Sequence, residues 1–221
     1  MWLDLAIGQR FGSGTSAFAL QVTLRCSQQR VVLFGPSGAG KSLTLKAVAG
    51  LLRPERGHVR VHGKTLFDAA GHTHVPPQRR GLGYVFQDYA LFPHLSVRQN
   101  VAFGLHAGWL NPRRGARDPR VEQWLQAFRI DHLGDQYPDQ ISGGQRQRTA
   151  LARALVTGPG ALLLDEPFAA LDHTLRSHLR RELEAVLDRT GIPMLLISHD
   201  PEDMEVFGQQ VVQLSEGRVL D

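Results

Sequence analysis

Residues 35–42 carry the most specific chemical pattern in the sequence. A glycine is followed by four free positions and then by Gly-Lys-Ser, as in a phosphate-binding loop; the stretch consists of Gly35, Pro36, Ser37, Gly38, Ala39, Gly40, Lys41 and Ser42. Glycines let backbone N–H groups turn toward a phosphate without a Cβ in the way. The pattern therefore predicts that Lys41 binds the β- and γ-phosphates of a nucleotide and that the hydroxyl of Ser42 ligates Mg²⁺.

The segments on both sides of this loop decide between a phosphate site and an incidental glycine-rich turn. Residues 31–34 form a short apolar run that predicts a buried strand, and residues 43–52 predict a helix. A helix that begins at the loop adds its positive N-terminal end to the same place. The order strand, loop, helix favours the phosphate site.

Polar side chains stand where other predicted strands end, which is where ligands bind in open α/β sheets. We expect Asp165 to hold Mg²⁺, directly or through water, together with Gln87. Glu166 is expected to polarise an attacking water, and His199 to hydrogen-bond the γ-phosphate. The plain alternatives are a helix cap for the two acids, a solvated glutamine and a structural histidine.

A second anion-binding pattern lies far along the chain, in Ser142, Gly143, Gly144 and Gln145. Ser142 is a predicted helix cap, and the two glycines leave the first N–H groups of that helix uncovered. One nucleotide uses both devices only if the chain folds one onto the other or pairs head to tail with a second copy. The alternative is an ordinary N-cap after a flexible loop.

Strands and helices alternate along most of the chain, which predicts an α/β fold with a mostly parallel sheet. Residues 3–7 and 18–24 predict an antiparallel part at the N-terminus, with a turn carrying Phe11 over residues 9–14. A hairpin-like edge is expected near residues 211–217, and residues 68–80 are expected to form a surface loop. Residues 89–158 predict an all-helical insertion, with helices capped by Ser96, Asp118 and Ser142. One domain, 1–221, would thus consist of a core (1–88 and 159–221) and a helical subdomain.

Composition sets limits on the class of protein. The chain has 221 residues, of which 42% are hydrophobic and 21% charged, enough to bury a core. No apolar run approaches the roughly 18 residues of a membrane-spanning helix, and the N-terminus lacks a signal-peptide pattern. A single cysteine, Cys26, excludes an internal disulfide and suits a reducing compartment.

The positive charge is small and mostly dispersed. The net charge is +4 and the pI about 9.7. One cluster of basic residues comprises Arg113, Arg114, Arg117 and Arg120. Its prolines and glycine favour a solvated loop over a nucleic-acid patch, so no nucleic acid is expected as a partner.

Taken together, these motifs resemble the ATP-binding cassette (ABC) ATPases over essentially the whole chain. The resemblance rests on residues 35–42, Gln87, residues 142–145, residues 162–166, Leu171-Asp172 and His199, in that order. It implies that two copies enclose two ATP molecules, with Lys41, Ser42, Gln87, Asp165, Glu166 and His199 of one copy facing Ser142 and Gly144 of the other. Asp172 is expected near the nucleotide.

Four further positions bear on this resemblance. Phe11 matches the aromatic residue that stacks on adenine, and Phe18 is the competing choice. Ile141 stands where leucine is usual, and Ala169 stands where serine is frequent. Neither departure removes a catalytic group.

A narrower resemblance, to bacterial importer ATPases, rests on residues 83–88, 91–94 and Val97, with 77–80 and 192–194. It is closest to the molybdate importer subunit; sulfate, iron and polyamine importers are alternatives. It implies two integral-membrane permease subunits, an indirect periplasmic substrate-binding protein, and a place on the cytoplasmic face of the inner membrane. Three other classes are disfavoured. A DNA-maintenance ATPase would need a long coiled coil between the phosphate loop and residues 142–145, and a translation-type ATPase would need a second cassette. A non-hydrolysing module would not need Glu166.

Overall fold

A computed structural model describes residues 1–12, 17–105, 111–169 and 171–220. Within these residues the strands are β1 (Leu3–Phe11), β2 (Phe18–Cys26), β3 (Arg30–Phe34), β4 (Arg56–Val61), β5 (Lys64–Asp68), β6 (Thr73–His74), β7 (Leu82–Val85), β8 (Ala161–Asp165), β9 (Met194–Ser198), β10 (Gln210–Ser215) and β11 (Arg218–Val219). The helices are α1 (Lys41–Ala49), α2 (Val97–Ala102), α3 (Pro119–Ala127), α4 (Gly143–Leu155), α5 (His173–Thr190) and α6 (Pro201–Phe207). Short 3₁₀ turns occupy Pro77–Arg79, Phe103–Leu105, Asp131–Leu133 and Pro138–Gln140.

These strands form one sheet in the order β6-β5-β4-β1-β2-β11-β10-β3-β9-β8-β7. The pairs from β10 to β7 are parallel, and the pairs among β1, β2, β4, β5 and β6 are antiparallel. Strand β11 pairs parallel with β2 and antiparallel with β10. The predicted α/β class, with a mostly parallel core and an antiparallel N-terminal part, is therefore confirmed.

Strand β8 shows why the central strands are apolar throughout. Leu162 and Leu164 belong to the core on the side of α2 to α6, whereas Ala161 and Leu163 belong to the core that contains α1 and the antiparallel strands. Successive side chains of a strand point to opposite faces, so a strand covered on both faces needs an unbroken apolar run. The carboxyl end of this buried strand places Asp165 at the sheet's edge.

Helices α2, α3 and α4 lie between β7 and β8 and account for the predicted helical insertion. Ser96 and Ser142 each form a capping box, and the side chain of Asp118 accepts a hydrogen bond from the N–H of Arg120. All three predicted N-caps are thus confirmed. Helix α4 packs on both α2 and β7, which joins this insertion to the parallel half of the sheet. Among the described residues, no helix combines the length and the apolar character needed to cross a membrane.

The predicted hairpin-like edge near residues 211–217 is wrong in one respect, because the last two strands do not lie at an edge of the sheet. Strands β10 and β11 form a hairpin, but β10 pairs with β3 and β11 pairs with β2. The hairpin therefore lies inside the sheet and links its antiparallel half to its parallel half. Sequence periodicity describes one strand at a time, so it could not show which neighbours the hairpin would meet.

Two other loop predictions are partly wrong, for the same physical reason. Residues 9–11 continue β1 instead of forming a turn, because Gln9 pairs with Leu20 and Phe11 with Phe18. Within residues 68–80, β6 adds to β5, and Pro77–Arg79 form a 3₁₀ turn. Pairing with a neighbouring strand outweighs the local preference of these sequences for turns.

Candidate functional site

The phosphate-binding loop runs from the end of β3 to the start of α1, as predicted. Gly35 has φ 153°, and a Cβ there would lie 2.0 Å from the carbonyl oxygen of Leu214 in β10. Only glycine lets the loop leave β3 so close to a neighbouring strand. The loop residues 37–43 then surround a cavity of about 290 Å³ whose remaining lining residues are Gln87 and Glu166.

Lys41 is the first residue of α1 and lies buried at the base of this cavity. Its Nζ donates hydrogen bonds to the carbonyl oxygens of Gly35 at 2.7 Å and Pro36 at 2.9 Å. Burial lowers the pKa of Lys41, and the carboxylates of Glu166 and Asp165 act in the opposite direction. The ammonium is thus held against the first two residues of the loop. A bound phosphate would add negative charge there, which favours the protonated form of Lys41.

Ser42 and Asp165 are joined directly. Ser42 Oγ donates to Asp165 Oδ1 at 2.8 Å, and Tyr84 Oη donates to Asp165 Oδ2 at 3.1 Å. Burial, followed by the nearby charge of Asp165, raises the pKa of Tyr84. A second cavity next to the loop is lined by this pair and by Gln87, together with Lys46, Phe86 and Asp88.

The donors at this place fit a magnesium ion. A hydroxyl, a carboxylate and an amide are the hard oxygen ligands that Mg²⁺ prefers. In the described residues, no group of three or more His, Cys, Asp or Glu side chains forms a metal cage. An ion held by Ser42, Asp165 and Gln87 would therefore complete its coordination with phosphate oxygens and water, which is usual for Mg²⁺.

Glu166 and His199 face each other beside the loop cavity. His199 Nδ1 lies 3.4 Å from Glu166 Oε2, and the backbone N–H of Glu166 donates to the carbonyl of Ile197 at 3.1 Å. Glu166 has φ 47°, a left-handed conformation that is unusual for a residue with a Cβ. Such conformations concentrate at functional sites, and this one turns the carboxylate toward the cavity that it lines.

The serine-glycine-glycine stretch does not line the loop cavity within the described chain. Ser142 is exposed, and its Oγ accepts the N–H of Gln145 at 3.3 Å, while Gln145 Oε1 accepts the N–H of Ser142. A Cβ on Gly144 would lie 2.6 Å from Leu175 Cδ2, so a larger residue at this position of α4 would displace that side chain of α5. Gly143 meets only Leu171, at 3.8 Å, and stays open.

Asp172 is likewise apart from the loop cavity among the residues described. Its side chain is exposed and caps α5 by accepting the N–H of Leu175 at 3.0 Å. The structure of one chain thus brings together Lys41, Ser42, Gln87, Asp165, Glu166 and His199, and leaves Ser142, Gly143, Gly144, Gln145 and Asp172 elsewhere.

Phe11 and Phe18 are cross-strand neighbours at the end of the β1–β2 pair. Their ring centroids lie 6.3 Å apart, and both rings are half-buried. Phe18 Cζ lies 3.3 Å from the place of a Cβ on Gly40, so Phe18 is the ring of this pair that contacts the phosphate loop at Gly40. Residues 13–14 of the predicted turn lie outside the described residues.

Three functional contacts escaped the sequence analysis. Tyr84 fixes Asp165, as described above. Arg153 of α4 donates from Nη1 to the carbonyl of Ala90 and from Nη2 to that of Tyr89, both at 2.7 Å. Arg176 of α5 donates to Asp200 Oδ2 at 2.6 Å and to the carbonyl of Leu171 at 3.0 Å. The only signal was an arginine or tyrosine near a motif, and that is too common to select these three.

The family of the chain follows from its match to known sequences. The sequence model of the ABC transporter family matches residues 19–169. The chain belongs to the ABC transporter family. The resemblance that the motifs suggested is therefore confirmed, and the chain is an ABC transporter ATPase.

Relatives of this ABC ATPase have been named as import proteins. It is 42% identical to the molybdate/tungstate import ATP-binding protein WtpC of Archaeoglobus fulgidus, covering all of this chain and 86% of that protein. It is 45% identical over 189 residues to the sulfate/thiosulfate import ATP-binding protein CysA of Synechocystis, and 40% identical over 203 residues to the molybdenum import ATP-binding protein ModC of Brucella melitensis. The chain spans about half the length of the last two proteins, 51% and 55% respectively.

Solved structures share the fold of this ABC ATPase. Two dimeric structures of the ABC transporter cassette MJ0796, one of them bound to ADP and Pi, cover 99% of the chain. Their TM-scores are 0.78 for the ADP and Pi form and 0.80 for the other, each at 27% sequence identity. These matches confirm the fold of a mixed sheet with a helical insertion.

Proposed function

We propose that this ABC ATPase is the motor subunit of an importer for an oxyanion such as molybdate. The observation that carries the proposal is the convergence of Lys41, Ser42, Gln87, Asp165 and Glu166 on the cavities beside the phosphate loop. This set supplies phosphate binding, hard oxygen ligands for a metal and a carboxylate base in one place.

ATP would bind with its phosphates in the loop cavity. Backbone N–H groups of the loop and the N-terminus of α1 would point at the β- and γ-phosphates, and Lys41 would add a buried positive charge. Ser42, Asp165 and Gln87 would hold Mg²⁺, which supplies neutralisation of the charge that develops on the phosphates. An adenine ring would stack on Phe11 or Phe18, whose pair of rings lies next to the loop.

Glu166 is the group placed to activate water. Its carboxylate lines the loop cavity, and a positioned carboxylate can take the proton of the attacking water. His199 Nδ1 lies 3.4 Å from that carboxylate and would help to orient it, while its other ring nitrogen would be offered to the γ-phosphate. Gln87, at the end of β7, would hold both water and metal.

A head-to-tail homodimer would complete the site. Ser142 is exposed at the N-terminus of the 13-residue helix α4, and Gly143 is open, as a surface that meets a partner's phosphate requires. Ser142, Gly143, Gly144 and Gln145 of one copy would then close on the phosphates held by Lys41 of the other, with Asp172 near the same interface. The dimeric MJ0796 structures support a homodimer.

In this view the chain divides into a core, residues 1–88 and 159–221, and a helical subdomain, residues 89–158. The core carries the phosphate loop, and the subdomain carries the signature residues at the start of α4. Separate bodies would let the signature move relative to the loop when ATP binds, which is how a motor transmits force to a partner.

The names of the relatives support an importer. WtpC and ModC are named for molybdate, tungstate or molybdenum import, and CysA for sulfate or thiosulfate import. We therefore assign two integral-membrane permease subunits as partners, with a periplasmic substrate-binding protein acting through them. The motor would lie on the cytoplasmic face of the inner membrane. Sulfate is the alternative substrate, because the motor itself does not contact the cargo.

The surface after Gln87 is where the permease would bind. Of the apolar residues in this stretch, Tyr89 and Leu95 are buried and pack the core, while Leu91 and Phe92 are only half-buried. The ring of Phe92 packs against the exposed Phe103 at a tilt of 40°, with the centroids 4.3 Å apart. Exposed aromatic area of this kind fits a partner helix.

The function is tested with the purified chain and with its permease complex in lipid vesicles. We expect ATP hydrolysis that requires Mg²⁺ and stops with EDTA, and uptake of labelled molybdate that unlabelled molybdate abolishes. If unlabelled sulfate competes with uptake and unlabelled molybdate does not, the substrate is sulfate and not molybdate. Absence of ATP hydrolysis in both preparations would contradict the proposed role as a motor.

The permease surface is tested by cross-linking from an introduced cysteine. We expect Phe92→Cys to cross-link to the permease, and Lys64→Cys, at an exposed position, to give no cross-link as the matched control.

A further inference from the structure

We propose that Arg176 is a positioning residue that couples His199 to the segment before α5, and that ATP hydrolysis depends on this coupling. The inference rests on the proposed function, because it assigns His199 a role in hydrolysis. Arg176 belongs to none of the motifs that identify the family, and its side chain does not line the loop cavity among the described residues.

The guanidinium of Arg176 holds two segments at once. Nη1 donates to Asp200 Oδ2 at 2.6 Å, and Asp200 directly follows His199. Nη2 donates to the carbonyl oxygen of Leu171 at 3.0 Å, and Leu171 directly precedes Asp172. A planar guanidinium with its donors in a fixed fork sets the distance between two acceptors, which a flexible ammonium does not do.

Asp200 is also held by hydrogen bonds with groups other than Arg176. Arg180 Nη2 donates to Asp200 Oδ2 at 2.6 Å, and Arg180 Nε donates to Asp203 Oδ1 at 2.5 Å. Ser198 Oγ accepts the N–H of Asp200 at 2.9 Å and donates to the carboxylate of Asp203. The residues on both sides of His199 are thus bound to one ionic network, although the His199 side chain itself is 62% exposed.

The network reaches the reacting groups through a narrow cleft. The cleft is lined by Glu166, Phe168, Ala169, Arg176, Ser198, His199, Asp200 and Asp203. The carboxylate of Glu166 and the ring of His199 therefore share a wall with the Arg176–Asp200 pair. A shift of Leu171 and Asp172, which we place at the dimer interface, would be passed by Arg176 to Asp200 and so to His199.

The test compares Arg176→Met with Arg181→Met in the purified chain. Arg181 lies on the same helix, is exposed, and donates only to the carbonyl of Ser177 at 3.4 Å among the described residues, so it is a matched control. We expect Arg176→Met to lower kcat about 10- to 100-fold while the KM for ATP stays within about threefold, because the phosphate loop is untouched. Arg181→Met should match wild type.

The His199→Ala background separates coupling from a merely structural role. If Arg176 acts through His199, adding Arg176→Met to His199→Ala should lower kcat by less than about twofold. Full multiplication of the two losses would overturn the proposal, and so would a kcat for Arg176→Met equal to that of Arg181→Met. Arg176→Lys keeps the charge but loses the fork, so it should give an intermediate kcat; it answers the question if Arg176→Met does not fold.

These outcomes are distinct from failure of the proposed function. A wild-type chain without Mg²⁺-dependent ATP hydrolysis would contradict the motor itself. An active wild type together with an unchanged Arg176→Met variant contradicts only the coupling.

Discussion

Ser42 Oγ and Asp165 Oδ1 lie 2.8 Å apart, in a hydrogen bond between residues separated by 123 positions in the chain. The bond ties the first turn of α1 to the carboxyl end of β8, and Tyr84 fixes the other oxygen of the same carboxylate. Two oxygens that we assign to Mg²⁺ are therefore pre-oriented by protein contacts, which reduces the cost of assembling the metal site.

Lys41→Ala should weaken ATP binding strongly and reduce hydrolysis by roughly 10²-fold or more, because the phosphates lose a buried, fixed cation. Titration with a fluorescent nucleotide and a phosphate-release assay measure the two effects. Lys64→Ala is the control, since Lys64 is an exposed residue of β5. Near-normal turnover of Lys41→Ala would refute the assignment of the loop.

Phe11→Ala and Phe18→Ala distinguish the two candidates for adenine stacking. The variant that loses the stacked ring should raise KM for ATP about 5- to 100-fold with little change in kcat, since stacking acts on the bound substrate and the transition state alike. The sequence favours Phe11, whereas the contact between Phe18 and the phosphate loop favours Phe18. Steady-state kinetics with ATP decide. An unchanged KM in both variants would exclude this ring pair.

Glu166→Gln should trap the ATP-bound dimer. The amide keeps the shape of the side chain but cannot take a proton, so kcat should fall about 10²- to 10⁴-fold while phosphate binding remains. Light scattering with Mg-free ATP should then give the molar mass of a dimer. Adding Ser142→Arg should return the mass to that of a monomer, because a long side chain would fill the place of the phosphate. A dimer that persists in the double variant would refute the head-to-tail sandwich.

Arg153→Met should loosen the segment that follows Gln87. Its guanidinium binds two carbonyls of consecutive left-handed residues, Tyr89 at φ 64° and Ala90 at φ 43°, and lies 5.6 Å from the centre of the Phe92 ring. Burial lowers the pKa of Arg153 to about 10, so it stays charged at neutral pH.

Loss of two such hydrogen bonds should cost about 1–3 kcal/mol of the free energy of unfolding and lower Tm by several degrees. Hydrogen exchange at residues 89–92 should also accelerate. Arg146→Met on the same helix is the control, since Arg146 is exposed. An unchanged Tm with unchanged exchange would show that the loop does not need this arginine.

Asp200→Asn makes a prediction about pH. Burial raises the pKa of Asp200, but hydrogen bonds from Arg176, the backbone of Glu202 and Arg180 outweigh it and hold the pKa below its ordinary value of 3.8. A carboxylate with a lowered pKa stabilises the fold above its ordinary pKa and loses that contribution as the pH falls through the folded-state value.

The Tm difference between wild type and Asp200→Asn should therefore be constant from pH 7 to about 5 and shrink below about pH 4. At neutral pH the substitution should cost about 1–3 kcal/mol, as for loss of one partner of a largely buried pair. Asp203 behaves oppositely, because burial raises its pKa. Its titration therefore does not reduce the free energy of unfolding as the pH falls. A difference that grows on acidification would contradict the assignment to Asp200.

The sequence was sufficient to predict which candidate site residues of one chain lie close together, because these residues follow apolar strands whose carboxyl ends meet at the same edge of the sheet. The sequence was insufficient where the role of a residue depends on its contacts in the folded chain. Gly144 suits an anion site, yet its lack of a Cβ also leaves room for the side chain of Leu175. Arg176 and Arg153 resemble solvated arginines in the sequence, and only the packing of α4 and α5 reveals the carbonyls and carboxylates that they bind.

The hairpin of β10 and β11 gives the phosphate loop an unusual dependence on the order of synthesis. The carbonyl of Leu214 packs against Gly35, and the N–H of Gly217 donates to the carbonyl of Ala39 at 3.0 Å. As the chain leaves the ribosome, β2 and β3 are available early, but the strands that join them are made only after all the other strands described. A nascent chain would therefore complete the backbone contacts that surround its phosphate loop only after these last two strands have been made.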